Sequence, residues 1–161
     1  MLSEQLCAML PRLRRFARSL AGNAQDADDL VQTALERALA RASQWQEEHG
    51  VEGWMFGIVR HAWVDELRSR QRRMRVFAPA EAAEHVAVAT VDRPDAARAV
   101  QAAMAKLPAS QRIVVALVLV EGLSYKEAAA ALEVPIGTVM SRLARGRASL
   151  QRMLGDQRED Q

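Results

Sequence analysis

An all-α fold, two small helical domains joined by a flexible linker, is predicted for this chain by three observations. Apolar residues recur at helical spacing through most of its 161 residues. Aromatic residues make up only 4% while alanine is abundant, a balance that favours packed helices over sheets. Only five prolines and eight glycines punctuate the pattern, and half of the residues are apolar, enough to build real cores.

Each element follows from its spacing. Leu2, Leu6, Met9, Leu10, Leu13, Ala17 and Leu20 give a first helix that ends near Gly22-Asn23. A second helix is expected from Asp26 to about Ala42, with Leu30, Val31, Ala34, Ala38 and Leu39 as its buried side. Gln44 to Gly53 is polar, contains Gly50 and Gly53, and reads as a loop. A long helix then runs from about Trp54 to Arg73 with Trp54, Ile58, Val59, Ala62 and Leu67 facing inward. Those three helices make a first domain, residues 1–73.

From Met74 to Arg93 the periodicity fails, and Phe77-Ala-Pro, a run of small residues and Asp92-Arg-Pro predict a linker over 74–93. The second domain is expected over 94–161. It opens with a helix from Pro94 or Asp95 to Leu107; Pro108 breaks it, and the next helix spans Ala109 to Val120. Ser124 and Glu127 then have the spacing of a capping box, followed by the small apolar stripe Ala128, Ala129 and Leu132. Pro135 and Gly137 mark a tight turn into a second helix, completing a helix-turn-helix.

That last helix has two unlike sides. At about 100° per residue, Val139, Leu143, Gly146, Leu150, Met153 and Leu154 fall together. Thr138, Ser141, Arg142, Arg145, Ser149 and Arg152 fall opposite, within roughly a 100° arc. Hydroxyls and arginines on one exposed face suit base edges and phosphates in a major groove, which makes DNA the leading ligand. A solvated basic face is the plainer account of such a helix.

The distribution of charge bears on that choice, because the net charge is only +2. Arg68, Arg70, Arg72, Arg73 and Arg75 form one basic cluster, and Arg142, Arg145, Arg147 and Arg152 form another. Acids gather at Asp26, Asp28, Asp29 and Glu36, and at Glu47, Glu48 and Glu52. Two basic patches on either side of a spacer imply two contacts with a polyanion, and the acidic patch implies a different partner. Solvated faces would explain any one patch but explain the arrangement less well.

Other functions find little support. Cys7 is the single cysteine, so no internal disulfide forms, and its place on the first helix predicts a small buried hydrophobe. His49, His61 and His85 are scattered and show no metal-ligand spacing with Cys7. No nucleophile–base pair and no phosphate-cradling glycine loop is evident, so neither an enzyme nor a cofactor is expected. No signal peptide is visible, and the longest apolar run, Ile113 to Val120, is too short to span a bilayer. A cytoplasmic protein without membrane insertion is expected.

Three stretches together resemble the extracytoplasmic-function sigma factors of bacterial RNA polymerase: DADDLVQTALERAL from Asp26, GWMFGIVRHAWVDELRSRQRR from Gly53, and LPASQRIVVALVLVEGLSYKEAAAALEVPIGTVMSRLARGR from Leu107. The resemblance covers about Leu6 to Leu154, and the three stretches in this order are strongly specific. It implies that the acidic helix docks on core polymerase, through Asp28, Gln32, Asp29 and Glu36, against the clamp helices of the β′ subunit. It implies that the second stretch, with the loop of about Gln46 to Gly53, melts the downstream promoter element and captures a flipped base through Arg60, His61, Trp63, Asp65 and Arg68. Trp63 also reads as a core residue, and His61 stands where the family usually has asparagine.

The same resemblance assigns the upstream promoter element to Lys126, Thr138, Ser141, Arg142 and Arg145. Met140 and Val118 stand where relatives often carry a basic residue, which would weaken binding across all sequences rather than change specificity. The implied partners are the β and β′ subunits of core polymerase, promoter DNA and an anti-sigma factor. The short lead before the acidic helix resembles the general-stress subgroup of alphaproteobacteria. The competing expectation is a free-standing helix-turn-helix regulator binding a palindrome, which leaves the first two stretches without a role.

Overall fold

The computed structural model describes residues 1–76 and 95–159. Among these residues it has seven α-helices and no strand. Helix α1 (Leu2–Ala21) presents Leu6, Met9, Leu13, Phe16, Ala17 and Leu20 inward, and Gly22 ends it in the left-handed conformation at φ 83°. The Gly22 N–H donates to the Arg18 carbonyl across 3.1 Å, a closure that glycine makes without steric cost. Helix α2 (Ala24–Ala40) is capped by Asn23, whose side chain accepts from the Asp26 N–H at 2.8 Å.

Helix α3 (Val51–Val76) begins three residues before Trp54 and takes Gly53 into its first turn. Because α2 ends at Ala40, earlier than expected, the connecting segment is displaced to residues 41–50 and carries two single-turn helices, Ala42–Gln44 and Glu47–His49. At the other end α3 continues through 74–76, residues expected to open the linker, while 77–93 lie outside the described residues. Helices α1, α2 and α3 pack into one bundle. At its centre Phe16 and Phe56 meet edge to face, ring centroids 5.1 Å apart at 76°. Burying each ring contributes roughly 1.5–3 kcal/mol, with a further ~1 kcal/mol from the ring geometry.

Two expectations about this bundle are corrected. Leu39 is 61% exposed, because Ala38 at 0% takes the inward position and the next residue turns away from the core. Cys7 is exposed for the same reason, Leu6 being the inward residue of that turn.

The second half contains α4 (Asp95–Lys106), α5 (Ala109–Val115), α6 (Tyr125–Leu132) and α7 (Ile136–Glu159). Helix α5 does not stay α-helical to Val120: Ala116–Val120 form a π turn. Ser124 caps α6, accepting from the Glu127 N–H at 3.0 Å. The turn into α7 is made at Glu133, held left-handed at φ 55°, and Gly137 lies inside the following helix. Val139 and Leu143 enter the core at 0% and 2% exposure, with Ala128 and Leu132 of α6 against them in one apolar cluster. Gly146 lets α7 approach α5, since a Cβ there would stand 2.7 Å from Val115 Cγ2.

The two halves are packed against each other. Helix α6 lies on α3 where Gly57 leaves room; a Cβ on Gly57 would be 3.2 Å from the Ala131 carbonyl oxygen. Helix α1 meets α4 and α5. The Arg112 guanidinium crosses to the Leu20 carbonyl at 2.9 Å, and the Gln101 amide reaches the Gly22 carbonyl at 2.6 Å.

Candidate polymerase and nucleic-acid interfaces

The acidic surface stands on α2. With Ala27, Leu30, Val31, Ala34 and Ala38 buried, Asp28, Asp29, Gln32 and Glu36 are all exposed and follow the outer face of the helix. The neighbouring acid Asp26 is used structurally, accepting from Arg70 of α3 at 3.1 Å. Arg37 on the same helix pairs with Asp65 at 2.8 Å.

The residues expected to handle a single strand separate on α3. Arg60 is half-buried, His61 is exposed, and Arg60 Nη2 lies 3.0 Å from His61 Nε2. Asp65 and Arg68 are exposed. Trp63 is only 4% exposed and takes the core reading: the Arg112 guanidinium covers its ring at 5.3 Å from the centroid. A ring so covered offers no platform to a base in this arrangement.

A cavity of about 710 Å³ opens beside His61. The first half contributes Trp45, Gln46, Gly50, Trp54 and His61 to its walls, and α6 contributes Glu127, Ala130 and Ala131. Trp45 and Trp54 face each other with ring centroids 6.5 Å apart, and Trp45 Nε1 donates to the Gly50 carbonyl at 3.4 Å. Aromatic walls, an imidazole and polar loop groups can hold an unstacked base. Trp45 was not among the residues read from the sequence, although an aromatic residue in a polar loop is the available signal. Trp54, expected in the core, is half-buried: it packs against the core cluster and also lines the cavity.

On the other half, burial of Val139, Leu143 and Gly146 turns Ser141 and Arg145 fully outward, with Thr138 and Arg142 half-exposed beside them. Ser141 Oγ donates to the Thr138 carbonyl at 3.2 Å. Met140 stands on the same outer face at 51% exposure, Lys126 is exposed on α6, and Val118 is half-buried against the core. Among the described residues no group of histidine, cysteine or acidic side chains could hold a metal ion. No helix among them is long and apolar enough to cross a membrane.

The residue most plainly missed by sequence reasoning is Glu121. Among the described residues it is the one buried charged residue, with a side chain that is 0% exposed. Arg15 grips it with Nε and Nη2 at 2.9 Å each. Arg12 donates from Nε to Oε2 at 3.3 Å and from Nη2 to the Glu121 carbonyl at 3.2 Å, while its Nη1 pairs with Glu52 at 2.7 Å. Burial works against the Arg12 charge, but the hydrogen bonds and charges of Glu52 and Glu121 outweigh it, and the Arg12 pKa is raised. The π turn precedes Glu121, whose N–H returns to the Ala116 carbonyl at 2.9 Å.

Comparison with known proteins gives this geometry its context. Residues 6–60 match the family model described as the Sigma2 domain of PhyR. Residues 97–150 match Sigma-70, region 4. A region 2 bundle followed by a region 4 helix-turn-helix defines the architecture of a sigma factor. The ECF RNA polymerase sigma factor EcfG of Rhodopseudomonas palustris is 36% identical over 158 residues, covering 95% of this chain and 84% of the relative. SigM of Mycobacterium tuberculosis is 38% identical over 144 residues, covering 89% and 72%. The structure of the sigma factor RpoE in complex with the anti-sigma factor NepR from Bartonella quintana superposes with a TM-score of 0.84 at 30% identity, covering 96% of both chains. The chain belongs to the ECF RNA polymerase sigma factors.

Proposed function

We propose that this sigma factor recruits core RNA polymerase through the outer face of α2 and carries it to promoters through two separate DNA-reading surfaces. The observation that carries this reading is the joint outward placement of Asp28, Asp29, Gln32 and Glu36 on a helix otherwise buried against α1 and α3. An acidic and amide surface of this kind pairs with basic residues on a protein, setting orientation and association rate. The clamp helices of β′ are the assigned target, with β as the other contacted subunit.

Arg60, His61, Asp65 and Arg68, with the aromatic cavity beside them, are assigned to the downstream element. Lys126, Thr138, Ser141, Arg142 and Arg145 are assigned to the upstream element. Trp63 supports the α3 surface from beneath. Residues 1–73 and 94–161 act as the two modules, with 74–93 between them. On the polymerase they engage one DNA together, which raises effective concentration. The protein works by recruitment and supplies no chemistry of its own; its place is the cytoplasm, with the polymerase.

An anti-sigma partner is assigned to a groove of about 740 Å³ that spans both halves. Val100, Met104 and Leu119 form an apolar floor, and Arg14, Arg15 and Arg18 a basic rim, which suit an amphipathic helix with acidic flanks. Support comes from the similar Bartonella quintana protein, which is described in complex with an anti-sigma factor.

The test is co-elution with sigma-free bacterial core polymerase on a sizing column, followed by run-off transcription from genomic fragments. Co-elution and discrete transcripts are expected. A folded protein that passes the column without polymerase overturns the recruitment reading.

A further inference from the structure

We propose that Met140 is a specificity-determining residue that reads the 5-methyl group of thymine in the upstream element. The inference rests on the DNA reading proposed for α7 and adds to it the chemistry of one position.

Burial decides which side of α7 is offered to a ligand. Val139, Leu143 and Gly146 are buried, and at about 100° per residue the remaining surface has two edges. On one edge Thr138 and Arg142 are only half-exposed. On the other Ile136, Met140 and Ala144 are all exposed at intervals of one turn, and Ser141 and Arg145 lie between the edges. The surface that stands clear of the protein is therefore centred between Met140 and Ser141. Met140 is 51% exposed and Ile136 49%, and both lie in the first two turns, the part of a recognition helix that meets base edges.

The side chain itself limits what can be read. A thioether donates no hydrogen bond and accepts only weakly. Against a purine edge it would displace water from donors and acceptors and return no partner, which disfavours those bases. The apolar group that a base pair presents in the major groove is the thymine 5-methyl. Methionine, flexible and polarisable, can follow that methyl over a small range of positions. Ile136, one turn earlier, extends the apolar contact along the groove. Lack of a charge at Met140 lowers affinity for every sequence, while the thioether adds a preference at one of them. Two large apolar side chains bordered by Ser141, Arg145 and Arg147 make a small patch for a protein, and they continue the surface already assigned to DNA.

The test begins with holoenzyme selecting its upstream element from a library of random duplexes. Each thymine of that element is then replaced singly by deoxyuridine, which removes the methyl and nothing else. At one position affinity should fall about fourfold, the worth of one methyl taken from an apolar contact. Cytosine at that position should gain a similar factor when it is replaced by 5-methylcytosine, which carries the same group. Both effects should vanish in Met140→Gln, which keeps length and helix propensity, and persist in Met140→Leu, which keeps an apolar side chain. Circular dichroism checks the fold of each variant.

An element with no thymine sensitive to its methyl, no gain from 5-methylcytosine, or methyl effects unchanged in Met140→Gln overturns the proposal. Weaker co-elution of Met140→Gln with core polymerase, with the methyl effects intact, also overturns it and assigns this edge to a protein. Arg145→Ala separates the inference from the reading beneath it. If that variant binds the selected element as well as the unchanged protein does, the DNA assignment of α7 falls, and Met140 with it. If it loses the element while methyl removal has no effect, the role of Met140 falls alone.

Discussion

The guanidinium of Arg112 stands over the ring of Trp63 at 5.3 Å from its centroid, joining a helix of the second half to the longest helix of the first. No carboxylate shares this contact among its described partners. Instead Nη1 donates to the Leu20 carbonyl at 2.9 Å, and Nη2 donates to the Ala105 and Leu107 carbonyls at 2.7 and 2.9 Å. Burial lowers the Arg112 pKa from its usual value, yet a guanidinium stays charged at any physiological pH. Carbonyl dipoles and the ring face therefore stabilise the charge in place of an anion.

Arg112→Ala should destabilise the folded chain by about 1–3 kcal/mol, because three carbonyl groups lose their donor and the ring loses its cover. Thermal unfolding followed by circular dichroism measures the loss. Tryptophan emission should shift to longer wavelength as water reaches Trp63.

Gly146→Ala should cost about 1–3 kcal/mol, since the added methyl would meet Val115 Cγ2 at 2.7 Å and valine has little rotamer freedom to yield. Gly137→Ala is the control, having no atom within 4 Å of its Cβ position. Inside the same helix it should be neutral or stabilising by up to about 1 kcal/mol. Paired melting curves distinguish steric crowding from helix propensity.

Charge reversal on α2 should break recruitment without unfolding. Asp29→Arg and Glu36→Arg lie on an exposed face, so stability should change by less than about 0.5 kcal/mol. Affinity for core polymerase should fall by at least about tenfold, as like charges are brought together. Sizing-column co-elution and melting temperature, measured on the same preparations, check both halves of this expectation.

On the DNA side, Arg145→Ala and Lys126→Ala should fail differently. Loss of a base-edge contact at Arg145 should cost about 1–3 kcal/mol and relax preference at one position of the upstream element. Loss of a phosphate contact at Lys126 should weaken binding to all sequences alike and reduce the salt slope by about 1. Competition binding with holoenzyme across a salt series separates them.

Much of the fold was legible because local rules decide it. The spacing of Leu13, Ala17 and Leu20, the Ser124 cap and the inward side of α7 all follow from helical periodicity and hydrogen bonding within a few residues. Boundaries moved where competing signals were close in strength. Gly53 joined α3 instead of ending a loop, and Glu133 took the left-handed turn expected at Pro135 and Gly137. Single-residue rotation decided Leu39 and Cys7, each of which follows a buried residue and lies about 100° further round its helix, past the edge of the buried face.

The sequence by itself determined the helices, their order, the family, and which faces of α2 and α7 carry exposed polar side chains. Those properties depend on residue type and on neighbours three or four positions away. Only the tertiary structure decided that Trp63 lies beneath Arg112, that Trp45 and Trp54 share a cavity walled by α6, and that Glu121 meets Arg12 and Arg15. These are contacts between side chains far apart in sequence, set by how whole helices pack, and no local pattern encodes the partner of a lone buried charge.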